Sequence, residues 1–297
     1  MKFKKKSQIL FWEGIIILFY GIVFAQELSF RIEPSTLKLS IPAGKTYSGT
    51  VRVYNQKNHP LNIKVYLEDF KYTQAQDGSK DFFPKGTTPF SCAEGLSFSP
   101  SKLFIPALGT NQISYTIKVP SEAEGARFGV LFFEVPLEET SSQIPSLETM
   151  SSTVKVNIRL GLLLFIEVKD KILRQAEISN LSIKKEHSNK NLIINLDFKN
   201  TGNTYLTSKG SYYIMDKQGF IYARGEFNNL YTFPGDLAKL NATWKEALPK
   251  GKYDLVLSID IGKAQEEANL GRGPVLVKEA ELEIDDNGEV LKVGELR

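Results

Sequence analysis

The residues best suited to chemistry are few in this chain and poorly placed for it. There are two histidines, His59 in NQKNHPL and His187 in KKEHSNK, and both fall in polar turns. Nucleophilic triads and most transition-metal sites hold histidine on a structured wall that fixes its direction. These two read as solvated turn residues. Acidic neighbours occur at Glu68/Asp69, Glu138/Glu139 and Asp285/Asp286. Adjacent residues on a strand point to opposite faces, so none of these pairs makes a carboxylate dyad without a bend. The IDDNG stretch offers oxygens for weak calcium binding, against the simpler reading of an ordinary turn. The single cysteine, Cys92 in FSCAEGL, cannot form an internal disulfide. It reads as a small buried hydrophobe rather than a reactive or intermolecular thiol. The chain shows no Gly-rich phosphate loop between strand and helix and no EF-hand spacing. The expectation is a protein that is not an enzyme and uses no cofactor or metal.

The elements that would position any site are short alternating runs. TLKLSI (36–41), YSGTVRVYN (47–55), LNIKVYLEDF (61–70), NQISYTIKV (111–119) and RFGVLFFEV (127–135) are of strand length and rich in β-branched or aromatic residues. NLIINLDFKN (191–200), SYYIMD (211–216), FIYARGEF (220–227) and KYDLVLSIDI (252–261) continue the series. IPAGKT, NQKNHP, DKQG, FPGD and LPKGK supply turn chemistry between them. AQEEANL (264–270) is a weak helical candidate. Many short strands at this spacing predict an all-β protein of two tandem immunoglobulin-like β-sandwiches, about seven strands each. The break between them is expected near EVKDKILRQA (167–176), where charge interrupts the apolar pattern.

At 297 residues the chain has room for two such domains. Its N-terminus is read separately. Lysines in MKFKKK, the apolar block GIIILFYGIVF and the small-residue end at Ala25 form the three parts of a secretory signal peptide. The division is residues 1–25 signal peptide, 26–169 first domain, 170–285 second domain and 286–297 polar tail. Removing the signal takes away four lysines and Glu13, a net of three positive charges, so the formal charge falls from +3 to zero. A neutral mature protein has no bulk attraction for nucleic acid or anionic lipid. An exported protein without a transmembrane anchor, in a periplasm or at a cell surface, is expected.

Two segments stand apart. LEETSSQIPSLETMSS (137–152) is long and patternless for a hairpin loop. The stretch after it, VKVNIRLGLLLFIEV, alternates strictly from Val154 to Leu160 and then has no polar residue from Leu162 to Ile166. It reads as one long strand whose even positions face a core. Its first half is expected to form an edge, and its second half, with Leu163 and Phe165, to be wedged at the domain junction.

In order and spacing, IEPSTLKLSIPAGKTYSGTVRVYN, FSPSKLFIPALGTNQISYTIKVP, RFGVLFFEVP, the Ser/Thr-rich loop and VKVNIRLGLLLFIEV resemble periplasmic pilus-assembly chaperones over about residues 30–168. That resemblance implies two immunoglobulin-like domains and a long post-loop strand that completes the fold of an exported subunit by strand addition. It implies partner-binding roles for Val154, Val156 and Ile158. It also implies a pair of cations in the cleft for the subunit's terminal carboxylate. The matching lysine position falls on Gly161, so Arg159 is the nearest substitute and Arg31 a loose second. The second half resembles two-domain surface proteins of Gram-positive bacteria that interact with WxL proteins, through FKNTGNTYLTSKGSYYIMDKQG, FPGDLAKLNATW and LPKGKYDLVLSID. The expected partner is therefore an exported subunit, pilin-like or a surface protein. The alternative is an envelope adhesion module that contacts peptidoglycan, glycan or a surface protein through loops and aromatic faces. The aromatics Tyr212, Tyr213, Phe220, Tyr222, Phe227, Tyr231 and Phe233 could offer an exposed row, with core packing as the default reading.

Overall fold

The computed structural model describes residues 29–135, 158–186, 190–262, 270 and 273–297. The expected signal peptide, the 137–152 loop, Val154, Val156, His187 and nearly all of the 264–270 helical candidate lie outside these residues. The described chain is β throughout. In the first half the strands are β1 (Phe30–Glu33), β2 (Thr36–Ile41), β3 (Thr46–Asn55), β4 (Leu61–Tyr72), β5 (Lys80–Pro84), β6 (Leu96–Ser99), β7 (Lys102–Ile105), β8 (Thr110–Lys118), β9 (Ala126–Val135) and β10 (Ile158–Val168). The second half has β11 (Ala176–Lys185), β12 (Leu192–Asn200), β13 (Leu206–Asp216), β14 (Ile221–Glu226), β15 (Leu230–Thr232), β16 (Leu237–Trp244), β17 (Gly251–Asp260), β18 (Val275–Ile284) and β19 (Val290–Val293).

These strands form two sandwiches in tandem. In the first, a sheet ordered β1-β3-β8-β6 faces a sheet ordered β2-β10-β9-β4-β5, with β7 also on β4. In the second, β11-β12-β16 faces β14-β13-β17-β18-β19, with β15 on β13. Period-two alternation builds each core. In β4, Leu61, Ile63, Val65 and Leu67 are buried while Asn62 and Lys64 are exposed. One core draws on Phe30, Val53, Ile113, Phe133, Leu162 and Leu164, and the other on Leu192, Phe198, Tyr212, Leu240, Leu257 and Ile284. Both sandwiches use the same device at a strand end. Asn55 is buried and donates to the carbonyls of His59 and Pro106 at 2.8 Å each. Asn200, also buried, donates to the Thr204 carbonyl at 3.0 Å and accepts from the Gly202 N–H. Each side chain ties a loop to its strand end through backbone groups.

The alternating runs appear close to where the pattern puts them, but strands are more numerous than seven per sandwich, because short segments such as β5, β6, β7 and β15 carry too few residues to show a period. The expected polar tail at 286–297 is corrected in part. Val290–Val293 pairs antiparallel with β18, and Val293 and Leu296 pack on the second core. The alternation VLKV is only four residues long, and the neighbouring charges mask it. Among the described residues no helix is long and apolar enough to cross a membrane.

The two sandwiches meet over a third cluster. Phe70, Phe128, Val130, Phe132 and Phe165 from the outer face of the β2–β5 sheet pack with Tyr205 and Phe233 of the second half. Phe233 lies 4.8 Å from Tyr72, 4.5 Å from Phe128 and 5.5 Å from Phe70, centroid to centroid. It sits in the FPGD turn, where Gly235 has φ +88°, a conformation that glycine adopts without steric cost. Backbone bonds fasten the contact. The Tyr231 N–H donates to the Gln76 carbonyl at 2.9 Å, and the Ala126 N–H to the Asn203 carbonyl at 3.0 Å. The charge that breaks the apolar pattern near 167–176 is itself part of the seam. Glu167, 1% exposed, accepts from Arg174 at 2.5 Å and from Thr204 Oγ1 at 2.9 Å, and Arg174 also donates to the Leu270 carbonyl.

Candidate functional site: the open end of β10

β10 has two neighbours along only part of its length. It pairs antiparallel with β9 from Ile158 opposite Val135 to Glu167 opposite Ala126. On its other flank β2 runs parallel, and that ladder begins only at Leu163 opposite Thr36. From Ile158 to Leu162 this flank carries no strand among the described residues. The cause lies in the first strand pair. Phe30–Glu33 pairs with β3 in the opposite sheet, and Thr36–Ile41 pairs with β10. Pro34 and Ser35 carry the chain from one sheet to the other. Proline has no N–H to continue a ladder, so the crossing falls there and β2 starts too late to cover the beginning of β10.

The direction of the uncovered groups follows from strand geometry. The Leu163 N–H donates to the Ser35 carbonyl at 3.1 Å, toward the β2 side. Residues two and four positions earlier share that direction, so Gly161 and Arg159 aim their N–H and C=O groups at the open flank. The even side chains point into the sandwich. Leu162 and Leu164 are fully buried, whereas Ile158 and Leu160 are half-buried and pack against the same core. An apolar row therefore runs from the core toward an unpaired backbone edge, the form that receives an added strand.

The odd side chains lie on the face turned toward the second sandwich. Leu163 and Phe165 join the junction cluster, as the sequence pattern predicts. Gly161 closes tightly on β9: a Cβ there would come within 2.7 Å of Val130 Cγ2 and 3.2 Å of Phe132 Cε1. A side chain at the expected lysine position would therefore require Val130 and Phe132 to shift. Arg159 is not free to take its place. Its guanidinium lies 4.1 Å over the Phe132 ring and 3.2 Å from Glu68 Oε2. Tyr66, beside it, donates to Glu134 at 2.5 Å. A Tyr66 side-chain hydrogen bond and the Glu68 charge raise the Arg159 pKa further. The second expected cation, Arg31, is placed elsewhere. Phe30 and Ile32 face the core, so Arg31 points out of the opposite sheet, 4.3 Å over Tyr54. The structure does not bring Arg31 and Arg159 together.

A further cation on this face is Lys38, on β2 opposite Phe165, with Nζ 6.0 Å from the Phe165 ring and 5.7 Å from Tyr205. Sequence reasoning missed it. Its local signal, a lysine on the polar phase of TLKLSI, is that of any solvent-facing strand residue until the register with β10 is known.

Other candidates resolve as packing or turns. Cys92 is buried, and burial together with the Asp69 charge pushes its thiol up to about 12. Asp69 and Glu68 diverge as adjacent strand residues must. Asp69 is buried and accepts from Thr88 and Ser91, while Glu68 meets Arg159. Asp285 accepts the Asn287 and Glu289 N–H groups and Asp286 meets Lys250, an ordinary turn. His59 is a surface residue whose Nδ1 lies 3.2 Å from the Pro60 carbonyl. The expected aromatic row does not form one surface. Tyr212, Phe227 and Phe233 are buried, whereas Tyr213, Phe220 and Tyr222 are exposed. Alternation along β13 separates Tyr212 from Tyr213.

Against known proteins, no family model matches the chain and no curated protein matches it in sequence. Solved structures do. A chaperone–tip adhesin complex of CFA/I fimbriae biogenesis is 16% identical with a TM-score of 0.47, covering 85% of this chain and 98% of that one. The class 5 fimbriae chaperone CfaA is 16% identical with a TM-score of 0.45, covering 84% and 98%. The Pseudomonas aeruginosa CupB2 chaperone is 13% identical with a TM-score of 0.37, covering 82% and 97%.

Proposed function

We propose that this is an exported, non-enzymatic binding factor of the pilus-chaperone type, which holds a partner subunit by strand addition to the open half of β10. The observation that carries this reading is the single-sided pairing of Ile158–Leu162. An exposed pair of N–H and C=O groups at Arg159 and Gly161, next to an apolar row leading into a core, is complementary to an extended polypeptide that lacks a neighbour of its own. In the sequence, Val154 and Val156 continue the same alternation, and this reading takes them as further donating side chains. The signal-like N-terminus supports an encounter in a periplasm or at a cell surface, with residues 26–169 and 170–285 as the two domains of this reading. Lys38, not Arg159, is the cation available to a subunit's carboxylate on the cleft face.

The test is co-expression of the mature chain with a pilin-like exported subunit. A 1:1 complex on size exclusion, with the subunit made soluble, is expected. Val156→Asp should abolish the complex while leaving the circular dichroism spectrum unchanged, and Lys38→Met should weaken it. Retention on peptidoglycan or another polysaccharide with no subunit complex would overturn the proposal in favour of an adhesion module.

A further inference from the structure

A second recess lies on the same outer face, two strands across the sheet from β10, where the sandwiches meet. Tyr72, Phe90, Phe128 and Phe70 line it from the first sandwich, and Phe233, Pro234, Gly235 and Asp236 from the second, around a volume of about 310 Å³. Phe70, Phe128 and Phe233 form a buried floor, and Tyr72 and Phe90 are half-buried walls. Tyr72 is stacked on Phe233 at 4.8 Å with Lys80 Nζ 5.5 Å over its ring, which leaves Phe90 as the wall without a cation of its own among the ring contacts described. Asp236 is the recess's one carboxylate, half-buried, with Oδ2 accepting the Phe233 N–H at 2.8 Å. A carboxylate has lone pairs for more donors than that one. Lys71 also lines the recess, at its exposed rim, with Nζ 5.8 Å from the Phe83 ring on the β5 side.

We infer that this recess binds an arginine side chain presented by a partner polypeptide. The volume lies at the small end of ligand sites, which favour domain junctions, and suits one long side chain. Aromatic faces carry negative charge density, so the Phe90 wall favours a cation and opposes an anion, as the Tyr72 ring already does for Lys80. A planar guanidinium stacks on such a ring while its edge donates to a carboxylate, and it is more weakly hydrated than an ammonium. A neutral aromatic or aliphatic group of the same size would desolvate Asp236 without giving it a donor, which is unfavourable. Burial raises the Asp236 pKa against the opposing effects of the Phe233 N–H and Lys71.

The experiment titrates acetyl-arginine methylamide, and its neutral isostere acetyl-citrulline methylamide, into the full-length protein by NMR. Saturable shifts at the Phe90, Phe233 and Asp236 amides with arginine only are expected. D236N should weaken binding about tenfold, as for loss of a charge-assisted pair. Lys71→Met, which removes the competing cation and keeps the fold, should tighten it. The proposal is overturned by equal binding of the citrulline compound, by unchanged affinity in a folded D236N variant, or by no saturable binding below about 20 mM. Should D236N unfold, weaker or unchanged binding in Lys71→Met overturns it equally.

Discussion

Leu163 stands opposite Thr36, and this is the first residue of β10 to meet β2. One residue earlier, Leu162 stands opposite Leu131 of β9 and has no strand on its other side among the described residues. A single ladder step thus separates a strand held on both flanks from one held on one.

Amide exchange should map that step directly. The N–H groups of Arg159 and Gly161 are expected to exchange quickly in the free protein, and those of Leu160, Leu162 and Leu163 slowly. Fast and slow amides would then alternate until Leu163 and be uniformly slow after it. Adding a partner subunit that pairs with β10 should slow Arg159 and Gly161 alone in this stretch. Slow exchange at both positions without a partner would remove the open edge.

The seam between the sandwiches depends on an ion pair that water scarcely reaches. Glu167→Ala leaves the Arg174 guanidinium, 9% exposed, without its carboxylate. Breaking one half of a buried pair typically costs about 3–5 kcal/mol. A Glu167→Met/Arg174→Met double variant should be closer to wild type than either single change in chemical denaturation. A single variant as stable as wild type would show that the pair contributes little.

Phe233 makes ring contacts across that seam with Phe70, Tyr72, Phe90 and Phe128. Phe233→Ala is expected to destabilise by about 3–5 kcal/mol, as for other buried phenylalanines. Because the lost contacts join two separate cores, calorimetry should resolve the unfolding into two transitions. One cooperative transition with a small shift would contradict this.

Cys92 packs so closely on β9 that a Cβ at Gly129 would lie 2.5 Å from its sulfur. Gly129→Ala should therefore cost about 1–3 kcal/mol through overpacking, and Cys92→Ala in the same chain should recover part of it. The thiol also gives a sign to alkaline stability. Its pKa is raised from 9.0 to about 12, so the unfolded state loses its proton first. The contribution is fully present below pH 9 and is lost as pH rises through 12. Wild type should lose stability over that window more steeply than Cys92→Ala, as judged by urea midpoints.

Much of this protein was legible residue by residue. Thr36–Ile41 occupies the same positions as the alternating run TLKLSI, and the buried phase of β10, Leu162, Leu164 and Ile166, follows its even positions. Side-chain alternation is local and repeats every two residues, so strand identity, inward faces and the all-β class are written in short windows of sequence. Partnership is not local. That Lys38 stands beside Phe165, that Arg159 is committed to Glu68, and that the Pro34 crossing leaves β10 half covered all depend on register between segments far apart in the chain. The charges at Glu167 and Arg174 marked a boundary in the sequence, yet only folding turned them into a buried pair that joins what they divide. Residue type sets which face a side chain takes, whereas long-range pairing decides which backbone groups are left for another molecule.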